Sequence, residues 1–291
     1  THARNTVVRI YNDQGLYGTG ECCPYRSIHG ETQAGTVAFA KDLAAVLIGQ
    51  DPADISRHVQ TMNRMIVGNA SVKGAFDMAL YDLNAKMLEM PLYRFLHGNR
   101  EKTIVTDNTV SLLDKDKMVE KALKFKEQGF QILKIKLGQR PSTLDVERME
   151  AIRAAVGDEI TLRIDANQGW NYLEARKALQ AMDGLNIEHC EEPIHADNLT
   201  DQVRINAESP IPIMADESVF NHNDAFRIVS SHAADLINIK LGKSGGIHNA
   251  MKIAAIAEAA DMYCQVGSFS ESRLGITALV HFDMAWSNIL Y

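Results

Sequence analysis

The stretch ILKIKLG, residues 132–138, decides the fold, because its two lysines alternate with apolar residues before a glycine ends the run. Alternate residues of a β-strand lie on the same face, so Lys134 and Lys136 share one face. Four further apolar runs follow at intervals of 24 to 29 residues, and each of them ends in a charged residue. They are TLRID ending at Asp165, IEHCE ending at Glu191, IPIMAD ending at Asp216 and LINIK ending at Lys240.

These intervals predict repeated strand–helix–strand units. Strands that alternate with helices form a parallel sheet, and eight such units close into a barrel. An open doubly wound sheet is the main alternative, but no glycine-rich turn follows the first strand. The predicted strands are 103–110, 131–137, 160–166, 186–191, 211–216, 235–241 and 262–268, and an eighth would begin near Ile289. We therefore predict an α/β fold in which residues 101–291 form a TIM-like (β/α)7β barrel.

Residues 1–100 have a different pattern and are predicted to form a small α+β domain. A hairpin, TVVRI followed by LYGTGEC, precedes helices at about residues 32–48, 52–66 and 71–96. The chain begins without Met inside a predicted strand, and it stops at Tyr291 just as another apolar run begins. We therefore expect an N-terminal strand and most of the eighth strand to lie outside this sequence.

Composition and charge limit the kinds of partner that the protein is expected to bind. The chain has 291 residues, a formal net charge of −7 and no basic run, which argues against nucleic acid or an anionic membrane as a partner. No segment approaches about 18 uninterrupted apolar residues, so no membrane-spanning helix is predicted. The four cysteines have neither zinc-finger nor redox spacing. This pattern favours free thiols in a reducing cytosol and a cytoplasmic location.

The charged strand ends form the candidate active site, because the catalytic groups of such barrels lie at the carboxyl ends of the strands. Asp165, Glu191 or Asp216 alone would be an ordinary helix cap or surface acid, but together they end three consecutive strands. Three buried carboxylates are costly unless a cation neutralises them, and their oxygens suit Mg²⁺. Lys136 and Lys240, one strand before and one strand after, suit proton transfer on either side of the bound ligand.

Five motifs, in this order and spacing, resemble the muconate-lactonizing branch of the enolase superfamily. They are KIK at 134–136, DANQGW at 165–170, EEP at 191–193, ADES at 215–218 and NIKLGKSGGI at 238–247. The resemblance implies that residues 1–100 are a capping domain and that CCPYRSIHGET, residues 22–32, covers the substrate. We call residues 22–32 the capping segment.

The resemblance also implies roles for the charged residues. The three carboxylates would hold Mg²⁺, and two lysines would act as acid and base on opposite faces of the substrate. A third lysine would assist the enolate oxygen. The metal ligands are Asp165, Glu191 and Asp216, the acid/base pair is Lys136 and Lys240, and the assisting residue is Lys134.

Within that branch, residues 106–111 and 262–282 most resemble the dipeptide epimerases. The implied activity is Mg²⁺-dependent inversion of an α-carbon by 1,1-proton transfer through an enediolate. The implied substrate is L-Ala-D/L-Glu or a related dipeptide. Arg26 in the capping segment is a candidate partner for a side-chain carboxylate, and Ser268 is a second candidate substrate-binding residue. A homo-oligomer is expected.

Two departures from the family pattern leave alternatives open. Glu192 stands where these enzymes usually have Gln, and the Asp-x-Asp pair that holds the substrate ammonium would lie beyond Tyr291. A cycloisomerase or dehydratase of the muconate cycloisomerase or o-succinylbenzoate synthase type would use the same metal and lysines. A non-enzymatic ligand-binding barrel is a further alternative. So is a metal-dependent aldolase or phosphate-binding barrel, in which Ser244-Gly245-Gly246 would meet an anion at a helix start.

Overall fold

The computed structural model describes residues 3–290, which divide into two compact units. The first unit comprises the residues up to Ile104, Phe220–Ala225 and the residues from Asn238 onwards. The second comprises Val105–Val219 and Phe226–Ile237. Within the described part of the chain, no helix has both the length and the apolar character needed to cross a membrane. The four cysteines are free, as their spacing predicted, and all four are buried.

The first unit opens with an antiparallel hairpin of β1 (Thr6–Tyr11) and β2 (Tyr17–Cys22). The side chain of Asn12 accepts a hydrogen bond from the backbone N–H of Leu16 at 2.9 Å, which closes the turn locally. Gly15 has φ of 82° in this turn, a conformation that glycine adopts without strain. The hairpin predicted from the sequence is therefore confirmed.

Five helices follow the hairpin, and β2 packs tightly against the fourth. They are α1 (Arg26–His29), α2 (Gln33–Leu47), α3 (Ile55–Met65), α4 (Ala70–Met87) and α5 (Leu92–Phe95). A Cβ atom at Gly18 would overlap the carbonyl oxygen of Ala79, and one at Gly20 would overlap that of Ala75. This close approach of strand and helix backbones therefore requires glycine at both positions.

The prediction of one continuous helix over residues 71–96 was wrong, because α4 ends at Met87 and α5 begins only at Leu92. Glu89 has φ of 53°, outside the helical region, and Pro91 caps the start of α5. Proline has no N–H to donate to the preceding turn, so it begins a helix readily and cannot continue one.

Seven parallel strands form a sheet whose order follows the chain. They are β3 (Asn108–Val110), β4 (Ile132–Lys136), β5 (Thr161–Asp165), β6 (Ile187–Glu191), β7 (Ile213–Ala215), β8 (Leu236–Ile239) and β9 (Tyr263–Val266). The first is shorter than the predicted 103–110. The intervening and following helices are α6 (Lys115–Glu127), α7 (Thr143–Val156), α8 (Tyr172–Ala181), α9 (Leu199–Glu208), α10 (His222–Ser231), α11 (Leu241–Ser244), α12 (Ile247–Ala259) and α13 (Arg273–Asp283). A 3₁₀ turn at Asp183–Leu185 precedes β6.

Beyond β9 the chain returns to the sheet where an eighth strand was predicted. Cys264 forms a parallel bridge with Ile289, and the N–H of Leu290 donates to the carbonyl of Cys264 at 3.0 Å. The strand–helix alternation and the N-terminal α+β region confirm the predicted fold class, a TIM-like barrel with a smaller α+β part.

A carboxyl side chain from α4 lies at the start of α12, where the sequence suggested an anion site. Asp77 is fully buried and accepts hydrogen bonds from the N–H groups of Ile247 and His248, at 2.5 and 3.2 Å. Both donors are first-turn N–H groups, which have no partner within their own helix. A side-chain oxygen of the protein itself therefore occupies the helix start, which argues against the phosphate-binding interpretation of Ser244-Gly245-Gly246.

Asp77 should make stability depend on pH. Burial raises the pKa of its carboxyl to about 8 despite the two N–H donors, from an ordinary value of 3.8. The folded state then keeps a proton that the unfolded chain loses, so stability should fall as pH rises from about 4 to 8 by at most ~1.4 kcal/mol per pH unit. The Asp77→Asn variant cannot ionise and should show a shallower decline in urea midpoint between pH 5 and 7. Parallel pH profiles of the two proteins would contradict this assignment.

Candidate active site

The register of the second unit places three predicted site residues on one level of the sheet. Lys136 pairs with Asp165 across β4 and β5, and Asp165 pairs with Glu191 across β5 and β6. Asp216 follows directly after β7, the next strand. Asp165 and Glu191 have no exposed surface and Asp216 has 1%. The structure therefore buries all three predicted carboxylates at the carboxyl ends of neighbouring strands.

Two lysines from β4 converge on one carboxylate. The ammonium nitrogen of Lys134 lies 2.9 Å from Oδ2 of Asp165 and also hydrogen-bonds Glu191. Lys136 donates to the same Oδ2 of Asp165 at 2.6 Å and to Oδ1 of Asn167 at 2.6 Å. The backbone N–H of Asn167 donates to the other Asp165 oxygen at 2.9 Å. Asp165 is therefore held from both sides, and the predicted inward face of Lys134 and Lys136 is observed.

The charged groups of this cluster shift one another's pKa values. Burial would lower the pKa of Lys134, but Asp165, Glu191 and Asp216 outweigh it and hold that pKa well above its ordinary value. Burial would likewise raise the pKa of Asp165, yet Lys134 and Lys136 bring it down to about 2. Asp216 acts on both groups, so the three carboxylates belong to one electrostatic neighbourhood. Among residues 3–290, no group of three or more His, Cys, Asp and Glu side chains forms a ready-made metal cage.

Glu192, the departure from the family pattern, supports the turn that carries Asp216. Its Oε2 accepts hydrogen bonds from the N–H of Asp216 at 2.6 Å and from the N–H and hydroxyl of Ser218 at 3.2 and 2.9 Å. Its Oε1 accepts from Gln202 at 3.0 Å. Burial, followed by the charges of Glu217 and Asp216, raises the pKa of Glu192 to about 8. Glu192 is therefore a buried anchor beneath the candidate site.

The Glu192→Ala variant is expected to lose about 2–3 kcal/mol of unfolding free energy, because the N–H groups of Asp216 and Ser218 would lose their buried acceptor. The Glu192→Gln variant keeps an oxygen for them and should lose much less, with Gln202 turning its amide to accept from the new one. Urea denaturation of both variants without divalent cations measures the difference. Equal stability of the Ala and Gln variants would contradict this anchoring role.

Lys240, the other predicted acid/base residue, follows directly after β8 in the first unit and is 8% exposed. Its ammonium nitrogen lies 4.9 Å from the centre of the Phe269 ring. Phe269 also stacks on Tyr25 of the capping segment, with ring centres 5.6 Å apart. The rings of His29 and Phe269 meet in a T-shaped arrangement, with their centres 5.4 Å apart. Phe269 therefore contacts both Lys240 and the capping segment.

The two predicted substrate-binding residues are both exposed. Arg26 begins α1, and the extended Tyr25 is the N-cap of that helix. Ser268 follows Gly267 after β9 and lines a small cavity together with Glu21 and Glu271. Both positions are therefore accessible to a ligand, but the assignment of Arg26 and Ser268 stays a prediction.

Phe269 and the supporting role of Glu192 were missed at the level of sequence. Glu192 carried a signal, since it was an unexpected acid beside a candidate metal ligand. Phe269 carried none, because an aromatic residue in the loop after a strand is ordinary and its neighbours, Tyr25 and Lys240, are distant in sequence. Only the tertiary structure brings these rings and the ammonium together.

Two family models match the chain. Residues 1–97 match the N-terminal domain of mandelate racemase / muconate lactonizing enzyme, and residues 117–291 match the enolase C-terminal domain-like model. The D-Ala-D/L-Ala epimerase of Cytophaga hutchinsonii is 46% identical over 100% of this chain and 79% of its own length. The L-Ala-D/L-Glu epimerase of Bacillus subtilis is 42% identical over 99% of this chain and 79% of its own length.

The similarity extends to solved structures. A crystal structure of dipeptide epimerase from Cytophaga hutchinsonii, complexed with Mg and the dipeptide D-Ala-L-Val, has a TM-score of 0.98 and 46% identity, over 100% of this chain and 79% of that one. The chloromuconate cycloisomerase of Cupriavidus necator is more distant, at 33% identity over 96% of this chain and 77% of its own length. These matches confirm the resemblance carried by the five motifs. The chain belongs to the enolase superfamily and, within it, to the family of dipeptide epimerases.

Proposed function

We propose that this protein is a Mg²⁺-dependent dipeptide epimerase, an isomerase that inverts the α-carbon next to the terminal carboxylate of a short dipeptide. The observation that carries the proposal is the buried cluster in which Lys134 and Lys136 converge on Asp165, at the level of Glu191. Charged groups buried this densely are costly to folding, and such clusters are concentrated at catalytic sites. Membership of a family of dipeptide epimerases supports a role for this cluster in proton transfer beside a carboxylate.

Asp165, Glu191 and Asp216 are the residues that would hold Mg²⁺. Their donor set fits the ion, since all three offer hard carboxylate oxygens and all are buried. When bound, Mg²⁺ would supply positive charge that stabilises the negative charge developing on the substrate carboxylate as its α-proton leaves.

The two acid/base lysines would each serve one face of the α-carbon. For one substrate epimer Lys136 removes the α-proton and Lys240 delivers a proton to the opposite face, and the roles reverse for the other epimer. Lys134, whose ammonium is buried against Asp165 and Glu191, stays charged and donates hydrogen bonds to the enediolate oxygen. Inversion requires a proton donor on the face opposite the base, which explains why two lysines are needed.

The substrate we favour is L-Ala-L-Glu or its epimer, with other alanine-containing or hydrophobic dipeptides as alternatives. Arg26 is exposed on α1, and its guanidinium forms no ion pair with an acidic side chain of residues 3–290, which leaves it available to a side-chain carboxylate. Ser268 would contact the dipeptide from the loop after β9. The role of Arg26 is tested by comparing the rates of the unaltered protein and of Arg26→Ala on dipeptides with an acidic or an apolar second residue.

We also propose a cytoplasmic location. All four cysteines are free and buried, and a reducing compartment preserves thiols in that state. Fractionation of cells that express the full-length protein tests this part of the proposal separately from its chemistry.

The reaction is tested with the full-length protein, Mg²⁺ and a mixed dipeptide library in heavy water. Mass spectrometry follows deuterium uptake at each α-carbon. We expect uptake in L-Ala-L-Glu or related dipeptides and its loss on addition of EDTA. The absence of uptake in every dipeptide would overturn the proposed substrate class, and uptake that resists EDTA would overturn the metal dependence.

A further inference from the structure

The ring of Phe269 lies where it can act on Lys240. The backbone N–H of Phe269 donates to Oε2 of Glu271 at 2.6 Å, which fixes the loop just after β9. From this position the ring centre is 4.9 Å from the Lys240 nitrogen, within the roughly 6 Å over which an aromatic face attracts an ammonium group. The attraction is directional, because the negative face of the ring must point at the charge.

The aliphatic part of the Lys240 side chain is confined as well as its ammonium group. A Cβ atom at Gly267 would come within 2.9 Å of Cε of Lys240 and 2.6 Å of Oδ1 of Asn238. The bare backbone of Gly267 therefore allows the lysine stem to lie against it, while Phe269 contacts the nitrogen. A lysine has four rotatable side-chain bonds, so restricting both stem and nitrogen removes much of its freedom before substrate binds.

The same ring is also packed against the capping segment. Tyr25 stacks on Phe269 with an angle of 23° between the planes, and His29 meets it at 77°. These two residues bracket the exposed Arg26 on α1. Burial lowers the pKa of His29 to about 4, so at neutral pH its ring is uncharged and its 3.4 Å contact with Glu31 is not an ion pair. An uncharged imidazole suits an edge contact with another ring.

We propose that Phe269 is a positioning residue, through which the packed capping segment holds the ammonium group of Lys240 in its reactive orientation. This inference rests on the proposed function, because it needs Lys240 to exchange a proton with the substrate. Misplacing a reacting group by about 1 Å can cost on the order of a hundredfold in rate, so loss of the ring should be visible in turnover. The effect should fall on Lys240 and spare Lys136.

The test exploits the asymmetry of a two-base reaction. Each purified dipeptide epimer is incubated separately in heavy water with Mg²⁺, and α-deuterium uptake is followed by mass spectrometry. The Lys240→Ala and Lys136→Ala variants identify which epimer loses exchange when each lysine is absent. The Phe269→Leu variant removes the π face and Phe269→Tyr keeps it. Phe226→Leu, at a phenylalanine that is 65% exposed, controls for the substitution itself.

We expect Phe269→Leu to slow exchange of the Lys240-dependent epimer by on the order of 10- to 100-fold while exchange of the Lys136-dependent epimer changes little. Phe269→Tyr should retain both, and the KM of Phe269→Leu should change less than its kcat. An equal loss for both epimers, or no loss for either, would overturn the positioning role. If Lys240→Ala itself leaves exchange of both epimers intact, the proposed function fails first and independently of Phe269.

Discussion

The Lys240→Ala variant is expected to lose epimerisation, with kcat falling by about 10²–10⁴-fold or more. Lys136→Ala should have the same effect. In the proposed mechanism each lysine is the base for one epimer and the acid for the other, so neither direction of the reaction should survive without both. Circular dichroism or chiral chromatography of the dipeptide measures the loss directly. Binding of substrate should persist, because neither lysine is proposed to anchor it.

The pattern of loss is as informative as its size. Each variant should retain hydrogen exchange for the epimer whose α-proton faces the remaining lysine, even though no inversion follows. Lys117→Ala is a matched control, since that lysine is exposed and its ion pair is with the exposed Asp114 at 3.5 Å. Full epimerase activity in either Lys136→Ala or Lys240→Ala would remove that lysine from the mechanism.

The Lys134→Met variant is expected to lose about 3–5 kcal/mol of unfolding free energy in the absence of divalent cations. Lys134 contacts Asp165 and Glu191, neither of which has exposed surface. Removing its ammonium group leaves these buried carboxylates with much less compensating charge, whereas methionine fills a similar volume. Urea denaturation in EDTA measures this loss without reference to activity.

Magnesium should reverse much of that loss. A cation held by the same carboxylates binds the folded state alone, so millimolar Mg²⁺ should stabilise Lys134→Met more than it stabilises the unaltered protein. Lys117→Met should behave like the unaltered protein in both buffers. A Lys134→Met variant that is as stable in EDTA as this control, or that gains nothing from Mg²⁺, would contradict the account of the cluster.

The sequence predicted the structure correctly where residues of one type recur at a regular spacing. The alternation in ILKIKLG and the spacing of the charged strand ends predicted which residues share a level of the sheet, and the pairing of Lys136 with Asp165 and of Asp165 with Glu191 bears this out. In a parallel sheet, successive side chains of a strand alternate between the two faces, so the residue pattern predicts which face each side chain occupies. The same pattern determines which residues of neighbouring strands lie side by side. Such positions can be predicted without knowledge of distant contacts.

Other features depend on contacts between residues far apart in the chain. The start of α12 suggested a phosphate site, but a side-chain oxygen of Asp77, 170 residues earlier than Ile247, accepts the N–H groups there. The supporting role of Glu192 became evident only from its hydrogen bonds to the turn that carries Asp216. The long predicted helix over 71–96 failed for a local reason, since its apolar period continues past Pro91 although the backbone cannot. Periodicity alone does not detect these cases.

The measurement that tests the central claim most directly is the isotopic content of the product epimer. A single purified epimer of L-Ala-L-Glu is incubated with the enzyme and Mg²⁺ in heavy water, and NMR follows the α-proton during the first few per cent of conversion. Two opposed lysines predict a product epimer that carries deuterium from the second lysine, with protium still predominant in the remaining substrate. A product that retains the original protium would mean that one base serves both faces, and would contradict the account.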